Sequence, residues 1–272
     1  MRALLHAFCF VSLGTFSFSF TLKVFVLRHG QTNANAKGVI QGSSDFSRLT
    51  DLGKQQATEA LQAFQQENIK ITSIYSSPLN RVRATLNGLR RKDEAASTGI
   101  LPPTDTVLEN LREIDFYDWE GLDKEALQAK YPVSWRAWKA GNADELIVFD
   151  TKKGAYLTER FPLLELWERA DLVWDEIFLR EQESSIGNTD RAALIVAHGS
   201  LGQALLGVAM GWDANQFRVH TFQNCGMVEL EFNSDHMRRP KTADRWRWMW
   251  PMEKKSAEWT YADSLLTGVC QD

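Results

Sequence analysis

The 272-residue chain has few cysteines, no excess of positive charge and no apolar run long enough for a permanent membrane helix, and each shortage removes a class of protein. Cys9, Cys225 and Cys270 are scattered, odd in number and without metal-ligand spacing, which argues against a disulfide framework and against a zinc site. His6, His29, His198, His220 and His236 form no His-x-x-x-His arrangement and have no Cys-x-x-Cys beside them, so no metal is expected. A formal net charge of −4 gives no bulk attraction for nucleic acid or anionic lipid, so a bound anion must be held by a local cluster. No repeat of solenoid period occurs. What remains is ordinary for a folded protein, 44% hydrophobic and 24% charged, with a length that suits one α/β domain with additions.

Residues 1–20 carry one early charge, Arg2, and then Leu4, Leu5, Phe8, Phe10, Val11, Leu13 and Phe16. They read as a leader directing the chain to the secretory pathway or an organelle; the alternatives are a docked N-terminal helix or a start codon placed too early, with a cytoplasmic protein. The run is broken by Gly14 and several serines and falls short of the ~20 strongly apolar residues of a stable span.

Leu22–Leu27 is a compact apolar run of strand length that ends at Arg28, His29 and Gly30. Thr50 and Asp51 can cap a helix whose Ala57, Ala60, Leu61 and Phe64 recur at helical spacing. Ile71–Ser77 reads as a second strand, and Ser77 with Pro78 as the start of a helix through Leu79, Val82, Leu86 and Leu89. Ala192–Gly199 repeats the opening design, an apolar strand ending in a histidine, with Ser200 as cap of the next helix. Met227–Phe232 is a further strand, and 131–180 reads as mostly helical with an irregular middle. Strands alternating with helices imply a three-layer α/β fold, a mostly parallel central sheet with helices on both faces and sites at the strands' C-terminal ends. The expected organisation is a leader or helix at 1–20, a catalytic domain at 21–235 with a cap-like insertion at about 131–170, and an extension at 236–272. In that extension Trp246, Trp248 and Trp250 pack on the domain while Arg238, Arg239, Lys241, Arg245 and Arg247 stay in water. Basic residues interleaved with aromatics can bind single strands, but the acidic remainder of the chain makes nucleic acid an unexpected partner.

Transfer of a doubly charged phosphoryl group needs cations around its oxygens, an in-line nucleophile and a proton donor for the leaving oxygen. Arg28 and His29 end the first strand, Arg81 lies on the helix after the second, and His198 ends a third. Arginine's planar fork suits phosphate oxygens, and helix N-termini at Ser77 and Ser200 add aligned N–H groups. Glu113 supplies a carboxyl for the leaving group, although Asp115, Asp118 and Glu120 beside it also read as a solvated acidic loop. Singly, each of these residues has a bland explanation.

Together, LRHGQTNAN (27–35), SSPLNRVRAT (76–85), LREIDFYDWEG (111–121) and VAHGS (196–200) resemble the histidine phosphatase superfamily, phosphoglycerate mutase-like branch, over residues 22–232. The resemblance implies that His29 is the nucleophile and forms a phosphohistidine, that Arg28, Arg81 and His198 bind the phosphoryl group, and that Glu113 is the acid/base. It also implies phosphate- or substrate-binding places for Asn35, Gln41, Gly42 and Gly199, and chemistry without metal or other cofactor. Gln31 stands where the family usually has glutamate and Pro78 where aspartate is frequent, and YLTERFPLLELWERA (156–170) replaces a Gly-Gly-Glu-Ser-like segment. In that region Lys152, Lys153 and Arg160 either read a second anion or simply face solvent. The expected function is hydrolysis of a small phosphorylated metabolite. The alternatives are a phosphoglycerate mutase, whose long substrate-enclosing insertion is not recognisable here, and a non-catalytic module that binds phosphorylated ligands or proteins.

Overall fold

In β1, Thr21–Arg28, Leu22, Val24 and Val26 enter one apolar cluster and Phe25 and Leu27 another, the two-residue period of a strand buried on both faces. A computed structural model describes residues 21–151, 158–184, 190–233, 242–250 and 260–261. The expected leader, together with Lys152, Lys153, His236, Arg238, Arg239 and Lys241, lies outside the described residues.

After β1 come the short α1 (Asn33–Lys37), α2 (Asp51–Gln66), β2 (Ser73–Ser76), α3 (Asn80–Ala96) and β3 (Thr106–Val107). Two 3-10 turns, Glu109–Leu111 and Tyr117–Trp119, lead to α4 (Lys124–Lys130), α5 (Pro132–Ala140) and the hairpin β4 (Val148–Asp150) and β5 (Thr158–Arg160). The chain continues through α6 (Pro162–Ser184), β6 (Arg191–Ala197), α7 (Gly199–Ala209), β7 (Met227–Asn233), β8 (Arg245–Trp250) and β9 (Thr260–Tyr261). The central sheet has seven strands in the order β3-β2-β6-β1-β7-β8-β9. Pairing is parallel from β3 to β1 and antiparallel beyond it. The cluster of α2 and α3 covers one face, through Leu61, Phe64, Val82 and Leu86, and that of α6 and α7 the other, through Trp174, Ile177, Leu201 and Leu205. The result is the expected α/β fold with a mostly parallel central sheet.

From β1 the chain passes along the α2 face toward β2; from β6 it passes along the α7 face toward β7, on the far side of β1. Two adjacent strands therefore send their connections in opposite directions on opposite faces, and a crevice opens at their C-terminal ends, where ligands bind in such sheets.

Four expectations are corrected by the coordinates. The helix after β2 begins at Asn80 with Leu79 as its uncapped N-terminal neighbour, so Ser77 and Pro78 precede it; Ser77 is drawn off to a histidine described below. Residues 162–170, read as part of a cap, are the first turns of α6, where Leu163, Leu166 and Ala170 are buried because they line the helix face turned to the core. The tryptophan-rich segment does not sit outside the domain: β8 is a strand of the sheet, with Trp246 in one core cluster and Met249 in the other. Its described cations, Arg245 and Arg247, are not left unpaired in water either. Arg247 bonds Glu229 at 2.7 Å and Glu67 at 3.1 Å, and Arg245 bonds Glu231 at 2.8 Å, because Glu229 and Glu231 face them across the strand pair.

Candidate active site

Register places the two histidines side by side. Arg28 of β1 pairs with Ala197 of β6, and His29 N–H donates to the Ala197 carbonyl at 3.0 Å, so each chain runs on into its histidine at the same level. The His29 and His198 rings lie edge to face, 5.3 Å between centroids. The loop after β1 is seated on the first turn of α2 through two glycines. A Cβ on Gly30 would meet the Gly53 oxygen at 2.3 Å, and one on Gly53 would meet the Gln31 oxygen at 2.1 Å. Gly30 N–H also donates to Thr85 Oγ1 on α3 at 3.1 Å.

The His29 ring is 2% exposed and its Nδ1 lies 2.8 Å from the Gly30 carbonyl oxygen. A carbonyl can only accept, so the bond requires the proton on Nδ1 and leaves the Nε2 lone pair for other chemistry. Burial, then the Arg81 and Arg28 guanidinium groups, hold this imidazole well below the usual histidine range, and the Gly30 bond opposes them only in part. His198, fully buried, is pushed the same way by burial, then by Arg81, His29, Arg169 and Arg28.

Arg28 Nη1 donates to the Phe222 carbonyl at 2.5 Å. Arg81, 1% exposed, donates from Nη1 to the Ser44 carbonyl at 2.8 Å and from Nη2 to the Gly42 carbonyl at 2.7 Å. Burial lowers the Arg81 pKa to about 10, against Glu113, Asp45 and Glu120, so the group stays charged at neutral pH. Among the described residues the Nε atoms of both arginines and Nδ1 of His198 are buried without a hydrogen-bond partner. Two guanidinium groups, the donors a tetrahedral anion needs, thus stand around two imidazoles, of which His29 has its N–H committed to Gly30 and offers a lone pair.

Glu113 follows the 3-10 turn at 109–111 and precedes the fully buried Ile114. Its Oε1 accepts from Leu201 N–H at 3.0 Å and its Oε2 from Ser200 N–H at 3.1 Å. The expected cap at Ser200 is therefore corrected. His198 is the N-cap residue and makes no side-chain capping bond to the helix, and Glu113 takes two of the otherwise unpaired N–H groups at the positive end of α7. Those amides face Glu113 and not a phosphate. Arg169 Nη2 on α6 donates to the Glu113 carbonyl at 2.8 Å, fixing the backbone as well.

The remaining expected positions surround this group in supporting contacts. The Asn35 side-chain oxygen accepts from Thr32 N–H at 3.1 Å and Asn224 Nδ2 at 3.2 Å, and the Gln41 side-chain oxygen accepts from Ser47 Oγ at 2.6 Å. Gly42 has φ +52°, and a Cβ there would meet Glu120 Oε1 at 2.1 Å. A Cβ on Gly199 would come within 3.2 Å of Arg28 Nε, so the glycine lets that guanidinium lie against the start of α7.

Glu120 is not part of a solvated loop: Oε1 accepts from Ser43 N–H at 2.9 Å and Phe116 N–H at 3.1 Å, and Ser44 Oγ bonds Oε2. It shapes the turn whose carbonyls grip Arg81, and Arg112 Nη2 donates to Ser43 O of the same turn at 3.2 Å. Arg160 does not face solvent freely. It forms a two-point pair with Glu165, at 2.9 and 3.0 Å, and lies over the Tyr117 ring. Asn224 donates to the His29 carbonyl at 3.3 Å and Cys225 N–H to the same oxygen at 3.2 Å, Cys225 adopting φ +54° to do so. Sequence reading passed over Asn224 and Arg169, and took Ser77 for a helix start and not for a partner of His198. Only Ser77 sits in a motif that could have pointed to it.

A family model, histidine phosphatase superfamily (branch 1), matches residues 24–245. A 2-carboxy-D-arabinitol-1-phosphatase of Triticum aestivum is 33% identical over 221 residues, which cover 80% of this chain and 38% of the wheat protein. The chain thus spans about two fifths of the length of the plant relatives it matches. A probable phosphoglycerate mutase of Erwinia tasmaniensis is 28% identical over 225 residues, 83% of this chain and 90% of that one. The native structure of a mycobacterial glucosyl-3-phosphoglycerate phosphatase superposes with a TM-score of 0.61 at 25% identity, over 83% of this chain and 96% of the other.

Proposed function

The chain belongs to the histidine phosphatase superfamily, branch 1, and from that membership we propose that it hydrolyses a small phosphate monoester through a phosphohistidine on His29. The observation that carries the reading is the His29 ring, whose Nδ1 is committed to the Gly30 carbonyl while a second imidazole and two guanidinium groups stand around it.

The His29 Nε2 lone pair attacks phosphorus and the ester P–O bond breaks. The departing alkoxide takes its proton from the Glu113 carboxylic acid and leaves as the alcohol. Glu113, now a carboxylate, takes a proton from water; the hydroxide oxygen attacks phosphorus, the P–N bond breaks, and its electron pair returns to Nε2. The sum is ester plus water giving alcohol plus inorganic phosphate. Arg28, Arg81 and His198 bind the three oxygens whose charge the transition state spreads. The neutral state favoured by burial keeps the His29 lone pair available near neutral pH.

Phosphate release from a panel of phosphorylated sugars and sugar acids tests the reading. Turnover of at least one ester, abolished in His29→Ala, is expected; binding without phosphate release from any ester would leave the non-catalytic alternative. Glu113→Gln is expected to slow alkyl phosphates far more than nitrophenyl phosphate, whose leaving group needs no proton. Equal slowing of phosphohistidine formation from both would remove Glu113 from the acid's place. The likeness to a probable mutase is the ground for a second reading, return of the phosphoryl group to another hydroxyl. With 3-phosphoglycerate, an isomer formed faster than inorganic phosphate would favour it.

A further inference from the structure

Ser77 is fully buried one residue beyond β2, and its N–H donates to the Val196 carbonyl of β6 at 3.1 Å. Its backbone is thereby pinned to the strand that ends in His198. Its Oγ lies 2.8 Å from His198 Nε2 and accepts, at the long distance of 3.4 Å, from Leu79 N–H. The serine hydroxyl has one proton to give and two lone pairs. The Leu79 amide points its proton at one lone pair, so the hydroxyl proton is free to be given to the ring.

His198 has no exposed surface, stands among guanidinium groups that oppose a further positive charge, and so carries a single ring proton. If that proton were on Nε2, Nδ1 would present a lone pair to any phosphoryl oxygen bound in the crevice. If Ser77 donates to Nε2, the proton lies on Nδ1, the buried ring nitrogen with no partner among the described residues. That atom is then a hydrogen-bond donor.

We propose that Ser77 is a positioning residue that fixes His198 as its Nδ1-protonated tautomer, so that Nδ1–H donates to the transferring phosphoryl group. The proposal rests on the phosphate-binding place given to His198 above. It accounts for a serine buried where a helix cap was expected, and it gives the adjacent histidines one shared tautomer and opposite tasks. His29 keeps its Nδ1 proton on a backbone carbonyl and uses Nε2 for attack; His198 keeps Nε2 on a hydroxyl and uses Nδ1 to hold.

The test is nitrogen-15 NMR of the full chain with labelled histidine, the His198 signals being assigned by their loss in His198→Gln. The expected result is an Nδ1-protonated ring in the native protein and a change toward the other tautomer in Ser77→Ala. With nitrophenyl phosphate, kcat in Ser77→Ala should fall on the order of 10²-fold, the size of a lost transition-state donor. Ser77→Thr, which keeps the hydroxyl, should restore both the tautomer and most of the rate. A native His198 protonated on Nε2 overturns the proposal, as does a Ser77→Ala protein with unchanged tautomer and unchanged kcat. Should Ser77→Ala fail to fold, the native tautomer and the Ser77→Thr spectrum decide alone. The tautomer is read without turnover, so a chain with the expected spectrum and no phosphatase activity would contradict the proposed function and leave the Ser77 assignment standing.

Discussion

His29 and His198 are held neutral first by burial and then by the arginines around them, and this has a consequence for stability as well as for catalysis. Each has a folded-state pKa below its unfolded value, so between the two the unfolded chain binds more protons, and stability falls as pH drops below about 6.5. The urea midpoint is expected to fall from pH 7 to pH 5, and the fall is expected to be smaller in the His29→Gln, His198→Gln double variant. An identical fall in both proteins would mean that the two rings titrate normally. Arg81 is the second test at this scale, because each of its Nη groups gives one bond to the 42–44 turn while its Nε is buried without a partner among the described residues. Arg81→Ala loses a charge-assisted contact in the transition state and releases the turn, and should lower kcat/KM by about 2–4 kcal/mol on the scale of a lost oxyanion donor. A change near zero would contradict its place. At this scale the sequence made the charged residues legible through their motifs and left their holders obscure. Arg169, Asn224 and Glu120 act through backbone carbonyls and amides, and no residue pattern records which carbonyl a side chain will reach.

At the scale of elements, α7 is capped from a distance by Glu113. One carboxylate therefore has a place both in the fold and in the proposed reaction. The loop after β1 depends on the absence of side chains at Gly30 and Gly53, where a Cβ would collide with backbone and not with a movable side chain. Gly53→Ala is expected to displace the His29 loop and reduce kcat more than thermal stability, measured by paired assay and melting curve; undiminished kcat would show that the loop tolerates the shift. On the opposite side of the molecule, the fully buried Glu181 of α6 accepts from Tyr75 OH at 2.7 Å and bonds Ser73 and Arg191. Glu181→Ala leaves Arg191 without that partner and should cost about 3–5 kcal/mol in urea denaturation, as breaking a buried pair does; a loss under about 1 kcal/mol would place the pair in the solvent-screened class. The strand β8 was legible in principle. In Arg245–Trp250 cations alternate with apolar residues over the first four positions, and in Val228–Phe232 carboxylates alternate likewise, a complementary pair of two-residue periods. Reading the arginines as wet hid that ladder.

For the whole molecule, strand and helix alternation was enough to foresee the layers, because each element's buried face is written in its own period. The order of the strands was not written there, and it is the insertion of β6 between β2 and β1 that makes a crevice of two strand ends. A chain with a net charge of −4 has no long-range pull on a dianion, and of the two site arginines Arg81 is buried and Arg28 partly so. A roughly tenfold rise in ionic strength is thus expected to change kcat/KM by less than an order of magnitude. A steeper fall would point to steering by the outer surface.

The most direct measurement is acid-quenched trapping of the protein with a phosphorus-labelled ester, followed by mapping of the labelled site. The account predicts acid-labile, base-stable phosphate on His29, formed within one turnover and accumulating when water's attack is slowed in Glu113→Gln with a good leaving group. Phosphate released at the full rate with no label on His29 at any time, or label on another residue, would contradict it.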